Sequence, residues 1–593
     1  MKSNSRQRLQ RTFLLLAFVV AGRVSCDAQF KLTPEQQSWV DQTLAHMTLD
    51  EKIGQVIFPV TSGAFANLGS DEFQKIKENI GKYHVGGYHI EGYTGGNPVS
   101  SAYLISRMQQ LAQVPLLITA DFEGGAGYEF PGATRFPRGM AIGATGKVQY
   151  AYDAAAFTAR EAKAMGVNVN FYPVVDVNNN PQNPIINIRS FGESPTSVGD
   201  FAQAYVKGTQ ENGVLATAKH FPGHGDTSVD SHLELPVINF DRARLNLIEL
   251  PPFEAAIKAG VDAVMTAHIY LPQLEKTPGL PASLSPAITT NLLRHDLGFQ
   301  GLVFTDALVM HAVSSNFGAD QAAVRAIEAG ADVALEPADI PGAFAALQAA
   351  VAKGDLTLER LDQSVRRLLA AKAWAGLDVQ TGVQHGQRGP DLNQVDTLVG
   401  TRAAAQKSDE IIEHALTLVK DERNAIPLRI DPGDQALLLN FVDTDNPGFS
   451  SPPGLTFHAE FMKRHPRTLF AQVGPTVTRN DADLIRQLAA VTRAVVASCS
   501  IRIASSKGSL GLSEPQQELL RSIAHHDGPF VFALFGSPYL LNYIPELPSY
   551  ALAFDFYPGA EAAMVRALFG EISFQGKLPV TVGTYPVGFS LKK

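Results

Sequence analysis

Between residues 50 and 340, short apolar runs recur with amphipathic stretches between them. The runs are Ile53–Val60, Val85–Glu91, Leu116–Asp121, Val167–Val177, Val214–His220, Val261–Tyr270, Gly301–Asp306 and Ala331–Glu336. Each is short, apolar or β-branched, and followed by Gly, Pro, Asn or an acid, which is the pattern of buried parallel strands. Segments with helical periodicity, such as Tyr150–Met165, Val198–Asn212 and Ala319–Ala329, lie between them. Eight β-then-α units predict an N-terminal (β/α)8 barrel of the TIM type. A faint repeat supports the unit: Ala256-Ile257-Lys258-Ala259-Gly260-Val261-Asp262 echoes Ala326-Ile327-Glu328-Ala329-Gly330-Ala331-Asp332. In both, a helix ends at a glycine cap and a strand begins.

The pattern changes after a Gly-, Gln-, Asn- and Asp-containing stretch at 376–400, which reads as a linker. Beyond it, the runs Ala436–Val442, Thr468–Val473, Ala494–Cys499, Phe530–Phe535 and Ala551–Phe556 alternate with helical stretches at Ala482–Val491, Glu514–His525 and Ala560–Leu568. This predicts a smaller, doubly wound α/β sandwich domain over 401–593, after a barrel over 29–375. It carries neither G-x-G-x-x-G nor a P-loop, so nothing in it suggests a nucleotide site.

Residues 1–28 read as a secretory signal peptide: a basic n-region (Lys2, Arg6, Arg8, Arg11), a short apolar core from Phe13 to Ala21, and Cys26 and Ala28 before the cleavage point. The apolar run is too short to span a bilayer. Lipidation at Cys26 is the lesser alternative, because Arg23 stands where that signal wants an apolar residue. The expectation is export to the periplasm or beyond. Cleavage removes five basic residues and one acid, taking the net charge from −9 to −13, and leaves Cys499 without a disulfide partner in the chain. An acidic chain of 593 residues, 45% hydrophobic and 18% charged, is neither disordered nor a nucleic-acid binder. No segment after the leader is long and apolar enough to cross a membrane, and the oligomeric state is not legible.

Seven predicted strand ends carry reactive groups: Glu91, Asp121, Asp176, Lys219-His220, His268, Asp306 and Glu336. In barrels of this kind the active site is built at the carboxyl ends of the strands. The densest cluster runs Lys219-His220-Phe221-Pro222-Gly223-His224-Gly225-Asp226-Thr227-Ser228-Val229-Asp230-Ser231-His232. Two chemistries could use it. His220, His224 and His232 could bind zinc in a metallohydrolase, although Pro222, Gly223 and Gly225 prevent the helix that would put the first two on one face. Alternatively, one histidine is a general acid–base steadied by a carboxylate, and Asp230 and His232 are spaced for that in a loop. His224 and Asp226 suit loop hydrogen bonding better. Asp306, ending an apolar strand, would point into the barrel mouth, where a carboxylate opposite a protonatable group suits acetal cleavage. Asp121, in Asp121-Phe122-Glu123-Gly124-Gly125, and Arg189, in Arg189-Ser190-Phe191-Gly192, could hydrogen-bond a sugar.

The D-x-E-G-G loop, the R-S-F-G segment, the K-H-F-P-G-H-G-D-T-x-x-D-S-H loop and the strand ending at Thr305-Asp306 resemble glycoside hydrolase family 3. The Asp230–His232 loop resembles its β-N-acetylglucosaminidase branch. The likeness runs from about residue 35 through Gly576-Lys577-Leu578-Pro579-Val580. It implies a retaining exo-hydrolase without cofactor or metal, acting on a small carbohydrate substrate, a β-linked N-acetylglucosaminide from peptidoglycan fragments or chito-oligosaccharides. Asp306 would be the nucleophile, His232 with Asp230 the acid–base, and Asp121, Arg189, Lys219 and His220 the contacts to the sugar being released. The family's glucosidase branch takes its acid from the second domain, whereas this sequence has the histidine loop inside the barrel, which supports an N-acetylhexosaminidase; a β-glucosidase is the alternative within the family. A histidine acid–base also leaves phosphate conceivable as acceptor. A barrel that binds sugar without turnover is the non-enzymatic alternative. Many relatives carry an Arg eight residues after the Asp of D-x-E-G-G; here it is Glu129, with Arg135 or Arg138 able to compensate.

Overall fold

The computed structural model describes residues 29–92, 95–378, 389–444, 453–502 and 511–593. The expected signal peptide with Cys26, and residues 379–388 of the expected linker, lie outside them.

The barrel strands are β1 (Ile57–Phe58), β2 (Val60–Thr61), β3 (Gly87–Ile90), β4 (Leu117–Ala120), β5 (Val169–Asn170), β6 (Leu215–Phe221), β7 (Ala263–Thr266), β8 (Leu302–Thr305) and β9 (Ala334–Leu335). β2 to β8 form one parallel sheet in sequence order, and β1 pairs with β9. A parallel bridge from Phe304 to Val333 joins β8 to the β9 segment. With β1 and β2 as one interrupted strand, the ring of eight closes. Every predicted barrel strand is present, most of them shorter than its apolar run. Apolar residues at Ile53 and Gly54 belong instead to a helix, Leu49–Gln55, started by a Thr48–Glu51 capping box.

The repeated motif marks corresponding turns. The helices Leu250–Lys258 and Ala319–Ala329 run into Gly260 and Gly330, which take φ of +82° and +115°. The amides of Val261 and Ala331 then reach back to Ala256 and Ala326 at 3.0 and 3.1 Å, closing each helix before β7 and β9.

The second sheet contains β10 (Thr417–Asp421), β11 (Ala436–Val442), β12 (Thr468–Val473), β13 (Ala494–Ile501), β14 (Phe530–Gly536) and β15 (Ser549–Leu552). Its order is β10-β15-β14-β13-β11-β12, parallel except for β10. Five parallel strands in this order are a doubly wound arrangement. β10 has no counterpart in the sequence reading: Lys420 and Asp421 interrupt its apolar pattern, and it adds antiparallel to the edge. Within the expected linker, Leu392–Leu398 is helical, and Gly400 donates to Glu161 at 3.0 Å, tying this stretch to the barrel. Cys499 is buried in β13 as a free thiol.

Two hydrophobic cores underlie the two sheets, and they meet. Met140, Ala141, Ala144 and Ile188, which come from barrel loops, pack into the second core. Polar bonds cross the same seam: Asn178 donates to Tyr539 at 2.7 Å, Thr581 to Glu193 at 2.8 Å, and Lys577 to the Ala144 carbonyl at 2.8 Å. The seam places Asp555, from the loop after β15, behind the mouth of the barrel.

Candidate active site

The strand ends converge on a cavity of about 350 Å³. Asp121, Arg189, Lys219, His220, His232 and Asp306 all line it, together with His89, Glu91, Glu123, Glu129, Arg138 and Glu336. Asp230 stands behind His232.

The β6 strand delivers Lys219 and His220 directly. Lys219 Nζ pairs with Asp121 and reaches Glu123 at 2.9 Å. Arg189 forks onto Glu123, with Nε and Nη2 donating at 2.8 and 2.7 Å, and gives Nη1 to the Ile185 carbonyl at 3.0 Å. The sequence reading aimed this fork at a ligand; in the structure Glu123 takes it. Burial opposes ionisation of Glu123, but Arg189 and Lys219 overcome it and hold its pKa well below the usual carboxylate value. Glu123, two residues after Asp121, was the part of D-x-E-G-G left without a role by sequence reasoning.

His220 is clamped. Arg189 Nη2 donates to its Nε2 at 3.3 Å, so the ring proton sits on Nδ1 and is donated to Asp176 at 2.7 Å. Asp176 also accepts from the backbone amides of His220 and His224. His224 is buried, donates or accepts with Ser231 Oγ at 3.1 Å, and is pushed down to about pKa 4 by burial and the neighbouring His220. The loop turns tightly here because Gly225 lies against the Val177 backbone, where a Cβ would come within 1.8 Å of the carbonyl oxygen. Asp226 pairs with Arg244 at 3.1 Å, away from the cavity lining.

His232 is the open member of the loop. Its Nδ1 lies 2.8 Å from Asp230 Oδ1, which also accepts the His232 amide at 2.9 Å. The ring is 29% exposed, whereas Asp230 is buried. Of the three loop histidines, His220 has both ring nitrogens engaged, by Asp176 and Arg189, His224 has Nε2 on Ser231 with Nδ1 buried without a hydrogen-bond partner, and His232 has Nδ1 on Asp230. Among the described residues, the group spaced for a metal is a different one, His89, Glu91 and Glu336.

Asp306 follows β8. Its amide donates to Thr266, and its Oδ1 accepts from Ala307 N at 2.9 Å. Burial raises its pKa, but His268, His220 and His232 outweigh that and bring it to about 2. His268 itself bonds Ser283 at 2.7 Å and the Ala307 carbonyl at 3.0 Å, which braces the Asp306 turn from behind. Glu336 behaves oppositely: burial, then the charges of Glu91, Asp121 and Asp306, push it up to about 8. His89, whose Nδ1 bonds Thr119 Oγ1 at 3.0 Å, has its pKa lowered by burial. Asp306 thus stands in the mouth as an ionised carboxylate near histidines, beside the ion-paired Asp121, Glu123, Lys219 and Arg189. Such a set can attack an acetal carbon and protonate a leaving oxygen.

The description Glycosyl hydrolase family 3 N terminal domain matches residues 48–371. The chain belongs to this family. It is a glycosidase. A Beta-N-acetylglucosaminidase/beta-glucosidase of Cellulomonas fimi is 32% identical over 575 residues, covering 93% of this chain and 97% of that protein. Among solved structures, a family 3 β-N-acetylglucosaminidase from Paenibacillus sp. str. FPU-7 is 34% identical, with a TM-score of 0.79 over 91% of this chain and 99% of its own. A β-glucoside phosphorylase is 26% identical, with a TM-score of 0.81 over 93% and 97%. As in the first two relatives, the similarity of this glycosidase extends through both sheets. Of the two arginines named as substitutes for the residue at Glu129, Arg138 enters the cavity, while Arg135 lies over Tyr128 and Tyr557 outside its lining.

Proposed function

We propose that this glycosidase is an exported, retaining, exo-acting β-N-acetylhexosaminidase that releases terminal N-acetylglucosamine from peptidoglycan fragments or chito-oligosaccharides. Asp306 attacks the anomeric carbon while His232, as the imidazolium, gives its proton to the departing glycosidic oxygen. The C–O bond breaks, and a glycosyl ester forms on Asp306. The now neutral His232 next takes a proton from water, whose oxygen displaces Asp306 and regenerates the carboxylate. Asp230 holds the ring orientation and stabilises its charged form in both steps. Asp121, Lys219, His220 and Arg189 bind and orient the sugar, with Lys219 and Arg189 also fixing Glu123.

One observation carries the reading: a histidine–aspartate pair, partly exposed, faces an ionised strand-end carboxylate across one cavity. The named activities of the Cellulomonas fimi and Paenibacillus relatives support the same substrate class. The test is a panel of nitrophenyl β-glycosides with purified protein, with and without chelator. Faster release from the β-N-acetylglucosaminide than from the β-glucoside is expected, with no effect of chelation. The reverse preference would favour the second reading, a β-glucosidase, which the double name of the Cellulomonas fimi relative supports. Product analysis in phosphate buffer distinguishes the free sugar, the expected product, from a glycosyl phosphate.

A further inference from the structure

Of the basic side chains that line the cavity, Arg138 is the one held most loosely by a carboxylate, its Nε lying 4.0 Å from Asp555 Oδ1. Its side chain is 4% exposed, and it makes no side-chain hydrogen bond among the described residues; its Nε is buried without a partner. Lys219 and Arg189 each already hold carboxylates at close range, Arg189 on Glu123 and also the Ile185 carbonyl, and Lys219 on Asp121 and Glu123. A guanidinium carries five donors and no acceptor, and here the Nε donor is buried without a hydrogen-bond partner while the group lines the cavity, an arrangement that is costly unless something there accepts from it. A site that tolerates this cost is built for a ligand that brings acceptor oxygens.

The second sheet's lobe holds this guanidinium in place. Asp555, fully buried, accepts the Arg138 backbone amide through Oδ2 at 2.9 Å. Its Oδ1 lies 4.0 Å from Arg138 Nε and 3.4 Å from Arg135 Nη2. The Arg138 guanidinium also packs over the rings of Phe556 at 5.2 Å and Tyr128 at 4.7 Å, which hold it at the cavity wall. Arg138 follows β4, the third strand of the ring, and Asp306 follows β8, the seventh. These strands stand opposite in a ring of eight, and both side chains line the one cavity.

We infer that Arg138 is a sugar-binding residue that donates to hydroxyl oxygens of the bound pyranose, and that the C-terminal lobe serves the active site by holding it through Asp555 and Phe556. The inference rests on the cavity's being a sugar site, but not on the sugar's being a hexosamine.

The experiment measures the dissociation constants of N-acetylglucosamine and glucose by titration calorimetry on the full-length chain, with kcat and KM for the nitrophenyl glycoside that the wild type cleaves fastest. Arg138→Met keeps the volume between the two rings and removes the donors. It should weaken binding of the preferred sugar by about ten- to a hundredfold, the range for hydrogen bonds to a charged group. Arg138→Lys should recover part of that loss. Asp555→Asn should weaken binding by about three- to tenfold, through KM more than kcat. The double variant should bind no worse than Arg138→Met alone, because the two act as one unit. Tyr539→Phe, which breaks another bond across the same seam, should leave sugar binding unchanged. Binding by Arg138→Met within twofold of wild type would overturn the inference, as would a wild type that binds neither sugar. Additive effects in the double variant, or an equal loss in Tyr539→Phe, would overturn the role of Asp555. A glucose preference in the panel would overturn the hexosaminidase reading and leave these comparisons intact.

Discussion

Two histidine–aspartate pairs sit twelve residues apart on the segment that begins in β6, and their contacts are almost the same length. His220 meets Asp176 at 2.7 Å and His232 meets Asp230 at 2.8 Å. The difference is in the second nitrogen. His220 has its Nε2 engaged by Arg189 and its side chain 6% exposed; His232 has its other ring face toward the cavity and is 29% exposed. A ring bonded at both nitrogens within a buried network can position a ligand or a loop. One bonded at a single nitrogen can exchange a proton with what enters the cavity. Chemistry of this kind is assigned by the environment of a pair rather than by its presence.

The comparison can be broken at the carboxylate that both rings face. Asp306→Ala should lower kcat at least about a thousandfold, since it removes the proposed nucleophile. Binding of N-acetylglucosamine, measured by calorimetry, should persist. Next in size, His232→Ala should cost about 10²–10⁴ in kcat, with KM changed less. A nitrophenyl leaving group, which needs little protonation, should soften that loss relative to a chito-oligosaccharide. His220→Ala should show the opposite split. KM rises, and the chain loses stability by about 1–3 kcal/mol because Asp176 is left buried without its ring partner; thermal unfolding reads this directly. Retained proton-transfer activity in His232→Ala, lost instead in His220→Ala, would exchange the two roles.

The smallest effect on turnover is expected at the closed end of the barrel, where the same lesson is read in stability. Asp262 and Asp332 occupy equivalent places in the repeated motif, yet burial raises the pKa of Asp262 well above its usual value. Asp332 is buried too, but Arg294, Arg367 and Arg360 bring it down to about 2. A depressed carboxyl stabilises the fold above its unfolded pKa and loses that contribution as pH falls toward the folded value. Asp332 should therefore contribute about 2 kcal/mol that is lost between roughly pH 4 and 2, visible as a fall in melting temperature. Asp262→Asn should be nearly neutral at pH 7, whereas Asp332→Asn, which strips the partner from buried arginines, should cost about 3–5 kcal/mol.

Much of the barrel was readable because each of its strands is buried on both faces and so appears as an unbroken apolar run ending in a polar residue. Asp306, Lys219 and His220 were readable for that reason: each sits at or just beside the last apolar position of its run. The pairing of His232 with Asp230 was legible from their spacing within a glycine-rich loop. Arg189 was found, but its partner was not, because Glu123 lies 66 residues away in the chain and only the fold brings them together. β10 and the helix Leu392–Leu398 escaped because short elements with mixed polarity carry no clear period.

The sequence alone determined the alternation of elements, the strand ends that carry chemistry and the family resemblance, because these depend on local order and spacing. Tertiary structure decided what each group does there. It gave the Arg189 fork to Glu123, left His232 open while closing His220, and brought Asp555 from the second lobe behind Arg138. Charge state, exposure and partner choice are set by what crosses the space between segments, and for a side chain such as Arg138 the deciding neighbour is more than 400 residues away in the chain.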